Sequence, residues 1–503
     1  MQAFRRAGCC STTWPCELAP VVRDTSTMRR SWATRPSASR REPSAGRTRT
    51  QPARPTMKTM MRSLFAAFSL GRSPGSHLNL SATIGATVAR QILSGSLYFA
   101  GMCITARLLG PAGNGVLATA MLLPQALYAF LNLGMGASHV YHLSSGSGNP
   151  RQMRAANWIL AALLWVVVAL VLAAGSEQRI ARFLPGIHKG LALYASLLFP
   201  LLLLAGWSSS MIRGQRDYRT YNRTLLIHPF IFFAMVALLG LTGSVSVAAV
   251  VTCHLIGQLS LWLMSESRLG KIAPGATGQY RLRDAVAFGL RAHVSNVITF
   301  LNYRLALYLV SFMLGATATG FYALAVQLAE MLWLFSGAAS SIVYPESAAN
   351  SRSPEALEAM VAKVAKLVVQ VTLAGALAAA AISSFAIPLA FGKDFRGSVA
   401  PFIILLPGIV TWSYMSIVSN ALAGMGFQRV NIQGAILCLV INAICGVLAI
   451  PVMGTSGAAL ASTVAFSITA LYTVVMYRKI MAAKRAEASG ARTDVETFVE
   501  GDE

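Results

Sequence analysis

Five ionisable residues stand inside otherwise apolar runs of this chain: Arg90, Arg291, His293, Arg304 and Glu330. A charge at the middle of a membrane-crossing helix costs on the order of 3 kcal/mol, so such residues face a partner or a water-lined path rather than lipid. Three guanidinium groups against one carboxylate predict a net positive chamber of low dielectric, which suits an anionic ligand. His228, placed just before Pro229, and His254 are weaker instances of the same kind.

Each of these residues also has a plainer reading. Arg291 stands near one end of its apolar run, where a long side chain can snorkel to the headgroups. His293 reads as a packing group rather than a proton carrier. Glu330 either binds a coupling proton or sodium ion, or is a static partner for Arg304 or Arg90. At 100° per residue, His293, Asn296 and Arg304 fall within about 80° of one another, while Arg291, Ser295 and Asn302 form a second stripe on roughly the opposite side. Both stripes cannot line one narrow chamber.

The elements that position these groups are long apolar runs. Hydrophobic residues make up 55% of the 503 positions and charged residues 12%, about half the charge of a soluble domain. The runs are continuous rather than alternating, so helices are expected and not a barrel. They lie near 82–107, 115–138, 155–175, 190–212, 224–243, 246–264, 286–312, 319–344, 365–391, 399–424, 430–450 and 456–477. Each is about as long as a bilayer crossing requires. The longest internal polar connectors, about 265–285 and 345–364, are too short for a folded domain. Lys and Arg number nineteen in the loops of one side and six in those of the other. That bias predicts both termini in the cytoplasm.

The second half echoes the first. LGPAGNGVLA at 109–118 is matched by LGATATGFYA at 314–323, an offset of 205 residues that also pairs Trp207-Ser208 with Trp412-Ser413 and Gln125 with Glu330. With six spans in each half the repeats are parallel, related by an axis along the membrane normal. The expected fold is therefore an all-α polytopic membrane protein of about twelve transmembrane helices in two parallel, pseudo-symmetric six-helix bundles. The expected divisions are a basic tail at 1–81, a first lobe at 82–264, a cytoplasmic connector at 265–285, a second lobe at 286–480 and an acidic cytoplasmic tail at 481–503.

The formal net charge is +24, but the first 81 residues hold fourteen basic against three acidic side chains, and the remainder of the excess lies in short loops. No basic stripe interleaved with aromatics suggests nucleic acid. Residues 1–57 are rich in Arg, Ser, Thr and Pro, a composition that predicts disorder. They read as a transit peptide or as an over-extended start, with Met57, Met60 or Met61 as the true beginning. The seven cysteines form neither a CxxC nor a Cys/His cluster, so no metal, cofactor or disulfide framework is expected. No P-loop or HExxH is present, and an enzyme is not expected.

Several segments resemble the polysaccharide flippases of the multidrug/oligosaccharidyl-lipid/polysaccharide exporter superfamily, the translocases of O-antigen and related lipid-linked oligosaccharides. They are ARLLGPAGNGVLATA at 106–120, FGLRAHVSNVITFLNYRLALYLVSFMLGATATGFYALA at 288–325, IVYPESA at 342–348, LAFGKDFRGSVAPFIILLPG at 389–408 and NAICGVLAIPVMGTSGAALAST at 442–463. The resemblance covers about residues 80–480. It implies two bundles forming a V in a bacterial inner membrane, moving an isoprenoid-diphosphate-linked oligosaccharide across the bilayer by alternating access, with polysaccharide assembly proteins as further partners. The diphosphate would rest on Arg90 and Arg304, with Arg291 nearby. Gln125, His293, Asn296 and Asn302 would line the path, and Glu330 would serve ion coupling.

Members of that group carry a basic residue in the seventh span followed two positions later by Asp. Arg304 matches the first, and Ala306 stands in place of the second. The drug-exporting branch uses a carboxylate in its first span, and residues 82–107 contain none. A cation-coupled drug exporter is the competing expectation, with Glu330 dominant. A membrane glycosyltransferase or polymerase would need a sizeable extracytoplasmic loop.

Overall fold

In the computed structural model the described residues are 80–243, 245–270, 280–349 and 353–488. The basic tail up to residue 79, the connector at 271–279 and the last fifteen residues lie outside them. Among the described residues sixteen α-helices and one 3-10 turn follow in order. The first half comprises α1 (Leu80–Leu131), α2 (Met135–Ser144), α3 (Pro150–Ala174), α4 (Glu177–Phe183), α5 (Lys189–Ser196), α6 (Leu198–Gly214), α7 (Tyr218–Thr224), α8 (Ile227–Thr242) and α9 (Val247–Leu269). The second comprises α10 (Leu282–Leu314), α11 (Ala316–Met331), α12 (Trp333–Ala349), α13 (Pro354–Phe391), the turn Lys393–Ser398, α14 (Val399–Gly424), α15 (Gln428–Met453) and α16 (Thr455–Ala488).

Ten stretches among the described residues are long and apolar enough to cross a membrane. The first, Ala89–Leu131, is 43 residues long and bends at Gly110, so it supplies two crossings. The eighth expected span is divided between α11 and α12 by a tighter turn, in which the Leu332 N–H bonds the Ala329 carbonyl. Each piece alone is too short to be counted among the ten. The twelve expected crossings are consistent with these helices. One connector differs from expectation: most of 345–364 is helical, because Pro354 starts α13 at its first turn and Leu357, Val361 and Ala365 bury one face of it. The last helix likewise runs on to Ala488, into the expected tail.

Local sequence sets the helix ends. Asn149 caps α3 by accepting from the Arg151 and Gln152 amides, with Pro150 in the first turn. Ser246 caps α9 through the Ala249 amide. Large apolar side chains such as Leu241, Phe385 and Val452 lie on the outside, as lipid-facing positions do in a multi-pass membrane protein.

The duplication is visible in the backbone. Gly110 has φ 64° and ψ −179°, and Gly315, 205 positions later, has φ 80° and ψ −171°. Both sit where glycine is favoured, and Pro111 reinforces the first break by denying Gly110 a helical conformation. Just beyond the breaks the two halves meet backbone to backbone. A Cβ on Gly115 would lie 1.7 Å from the Ala316 carbonyl oxygen, and one on Gly320 would lie 2.0 Å from that of Pro111. Pro111 and Ala316 are themselves equivalent, so the contact is reciprocal, as a two-fold axis demands.

Each half also carries an ion pair between the start of its third crossing and the end of its sixth, with the charges exchanged. Arg154 on α3 donates to Glu266 on α9 at 2.7 Å, and the Ser208 hydroxyl donates to the other carboxylate oxygen at 2.7 Å. In the second half Glu358 on α13 faces Arg485 on α16 at 3.5 Å.

Two expectations follow. Glu266 is nearly buried, so Arg154→Ala should cost on the order of 2 kcal/mol by stranding it, whereas Arg485→Ala, at a far more exposed pair, should cost little; thermal unfolding of the purified protein measures both. Gly115→Ala cannot keep the contact with Ala316, since the obstructing atom is backbone. Amide exchange in Ala316–Gly320 should rise severalfold in that variant and stay unchanged in Gly146→Ala, where no neighbour lies within 4 Å of the added methyl.

Candidate functional site: an inter-lobe cavity on the pseudo-axis

Below the glycine contact the two duplicated helices part and enclose a cavity of about 280 Å³. Its wall contains residue pairs at the repeat offset: Ala118 with Ala323, Met121 with Val326, Leu122 with Gln327, and Gln125 with Glu330. The cavity therefore sits on the pseudo-axis. Helix α1 contributes Tyr98 and Asn114, α8 and α9 contribute His228, His254 and Gln258, and α10 contributes Arg304.

A backbone contact between the two halves stands beyond each end of the cavity. Above it stands the Gly115–Gly320 contact. Nineteen residues further on, just past the end of α1, a second backbone contact lies on the expected cytoplasmic side. A Cβ on Gly134 would lie 2.0 Å from the Gly289 carbonyl oxygen, and one on Gly289 would lie 2.4 Å from that of Leu133. Gly134 adopts φ +63°, a conformation that a side chain would strain. Rings extend this contact: Tyr141 stacks on Phe288 at 4.7 Å, and His142 meets Tyr280 edge-on at 6.3 Å. Burial pushes the Tyr280 hydroxyl up to about 12. It also holds His142 below the ordinary imidazole range, against the opposing pull of the Asp284 carboxylate. Both effects favour the uncharged forms of these two side chains.

The residues singled out in the sequence separate into groups. Arg304 and Glu330 both reach the cavity wall, where the Arg304 guanidinium donates to a Glu330 carboxylate oxygen at 3.2 Å. Gln125 is there too. Arg90 is not on the wall. It lies eight residues before Tyr98 on α1, about 12 Å lower, and its buried Nε has no hydrogen-bond partner among the described residues. Arg291 belongs to α10, but its side chain lies outside the described atoms.

His293 is buried and its Nε2 lies 2.9 Å from the Phe130 carbonyl oxygen. That bond ties α10 to α1, as a packing group does. Asn302, on the opposite stripe, turns into the second half: its amide donates to the Ala435 carbonyl at 2.9 Å and it lines a separate cavity of about 300 Å³. Asn296 is exposed and lines neither of these two cavities.

The expected excess of positive charge is thus not on the wall of this cavity. Among the described side chains the wall carries one guanidinium and one carboxylate, which cancel. Ala306, where the resemblance leads one to expect an acid, is 3% exposed within an apolar cluster that also holds Met102, Val310 and Tyr322. The sequence alone undervalues the histidines at 228 and 254. They are 26 residues apart on different helices, and no local spacing shows that they meet. Asn114, Gln258 and Gln327 escape sequence reasoning on the same ground. For Gln327 the repeat holds a signal, since its equivalent, Leu122, also lines the cavity.

No curated protein matches the chain in sequence. Among solved structures, the lipid II flippase MurJ in its inward closed conformation superposes with a TM-score of 0.66 at 16% identity, covering 82% of this chain and 95% of that one. A MOP superfamily transporter from Pyrococcus furiosus gives a TM-score of 0.57 at 16% identity, covering 80% and 96%. A multidrug resistance MATE family transporter of the same superfamily, inward-facing, gives 0.57 at 14% identity, covering 84% and 99%. These likenesses establish the fold. The family described as polysaccharide biosynthesis protein matches residues 104–400. That is more than half of the chain, and it includes every residue named above on the cavity wall except Tyr98; the chain belongs to the polysaccharide biosynthesis protein family.

Proposed function

We propose that the protein is a flippase that carries a lipid-diphosphate-linked oligosaccharide across the cytoplasmic membrane of a bacterium for surface polysaccharide biosynthesis. The observation that carries this reading is Arg304 on the wall of a cavity on the pseudo-axis, held by a carboxylate that another anion can displace. A guanidinium fork matches phosphate oxygens two at a time. The diphosphate takes the place of Glu330 on Arg304, and the released carboxylate is free to take a proton or a cation.

At about 280 Å³ the cavity is at the small end for a drug-sized ligand. An oligosaccharide requires the lobes to separate while the isoprenoid tail stays in the bilayer. The lobes at 82–264 and 286–480 would rock about the axis, with both termini cytoplasmic. They would break the Gly134–Gly289 contact to load and the Gly115–Gly320 contact to release. Arg90 and Arg291, toward the cytoplasmic side, would receive the diphosphate first. Polysaccharide assembly proteins would consume the delivered glycan.

Glu330 on the same wall supports the competing reading, a cation-coupled multidrug exporter. One experiment separates the two. Surface glycan and drug efflux are measured in cells producing equal amounts of wild type, Arg304→Ala, Arg304→Lys and Glu330→Gln. The flippase reading expects surface glycan to fall tenfold or more in Arg304→Ala, with partial recovery in Arg304→Lys, whose ammonium cannot form a fork. Normal glycan export by the Arg90→Ala, Arg304→Ala double variant refutes it. Efflux lost only in Glu330→Gln favours the exporter.

A further inference from the structure

The cavity wall on the first lobe carries two imidazoles that face each other. His228 lies in the first turn of α8 and His254 near the middle of α9. Nδ1 of His254 is 3.5 Å from Nε2 of His228, with ring centroids 5.6 Å apart. Both line the same cavity as Arg304 and Glu330.

The surrounding helices are shaped to hold this pair. A Cβ on Gly257 would lie 2.8 Å from Cδ2 of His228, so glycine on α9 makes room for that ring. His254 is 8% exposed and stacks on Phe232 at 4.2 Å. Phe232 in turn occupies space that a Cβ on Gly101 of α1 would enter, 2.7 Å from Cε1. Packing alone would be served by leucine at either histidine.

We propose that His228 and His254 form a proton-binding dyad whose protonation is coupled to occupancy of the cavity by a diphosphate-bearing anion. The proposal rests on the reading of the cavity as an anion site. In the neutral pair His228 keeps its hydrogen on Nδ1 and offers Nε2 as acceptor, while His254 keeps its hydrogen on Nε2. A proton taken from water onto Nδ1 of His254 is then donated to Nε2 of His228. In that neutral pair no hydrogen lies between the two facing nitrogens, 3.5 Å apart, and the added proton supplies the missing donor in a charge-assisted bond. The start of α8 disfavours a cation on His228 itself, so the charge resides on His254.

The surroundings make one proton decisive. Arg304 and Glu330 cancel on the facing wall. From α1 the titratable neighbour is Tyr98, its ring 6.2 Å from that of His254. Helix α6 presents Leu198 and Leu202 to the cavity, and Tyr194 of α5 is bonded to Thr252. Arg219, Tyr221 and Arg223 belong to α7, just before His228, and Cys253 adjoins His254 on α9. Protonation therefore changes the wall from neutral to net positive. By linkage, a bound anion raises the proton affinity of the dyad by the same factor by which the proton raises the affinity for the anion. Anion binding must strengthen as pH falls.

Binding of farnesyl diphosphate to the full chain in lipid nanodiscs, measured from pH 8 to pH 5.5, tests this. The wild type is expected to gain about tenfold in affinity. His228→Gln, His254→Gln and Gly257→Ala, the last of which keeps both imidazoles but displaces one, are expected to lose the gain. Titration of the probe's own diphosphate runs in the opposite sense and is common to every variant. Inorganic pyrophosphate as a second probe shows whether the anion must carry a lipid tail: a pH-dependent gain with either probe supports the dyad. A wild-type slope in all three variants, or no slope in the wild type with either probe, overturns it. Arg304→Ala distinguishes the two readings: unchanged binding at pH 8 refutes the anion site itself, whereas weak binding there together with intact slopes in the histidine variants refutes the dyad alone.

Discussion

Where two copies of a helix cross at a two-fold axis, whatever one backbone needs from the other is needed in return. At Pro111–Gly115 and Ala316–Gly320 the requirement is the absence of a side chain, because the carbonyl of each helix occupies the space where the other's Cβ would stand. A contact without side chains has few ways to adapt. It is either made, with both backbones in register, or broken altogether. The cavity and its symmetric lining both depend on that contact. The Gly134–Gly289 contact gives the other side the same all-or-none character, although there the partners are not equivalents.

Between the two contacts the polar groups are arranged by lobe. Arg304 and Glu330 come from neighbouring helices of the second half and satisfy each other, while the imidazoles come from neighbouring helices of the first. The equivalent of Glu330 is Gln125, so the duplication has kept the place of the polar group and changed its charge. The wall is thus symmetric in shape and asymmetric in charge.

Much of this is legible in the sequence because a membrane protein writes its fold in long apolar runs. The crossings, the offset of 205 residues and the paired glycines follow from residue types at fixed spacing. Arg304 and Glu330 stand out because a charge in an apolar run has no cheap explanation. Arg90 stands out with them and does not reach the wall, because the sequence shows that a charge is inside a helix but not how far along the axis the cavity extends. The opposition of Arg304 and Asn302 on α10 does emerge from helical angle, and the two residues face different cavities. The meeting of His228 with His254 does not, since it depends on how α8 packs against α9 and on the space left by Gly257. Ala306 shows the converse: a family pattern expects an acid there, and the local packing is apolar.

The exchanged charges of the two ion pairs bear on how such a chain sorts its helices as it is made. Arg154 and Glu266 tie the third crossing to the sixth, and Glu358 and Arg485 tie the ninth to the twelfth. Had the duplication kept both pairs in the same sense, the third crossing could have joined the twelfth as readily as the sixth. With the signs reversed, that mistake would set arginine against arginine, and its counterpart would set glutamate against glutamate. Like charges brought together at these helix ends would disfavour the wrong neighbour. Two nearly interchangeable bundles encoded on one polypeptide thereby remain separate during assembly.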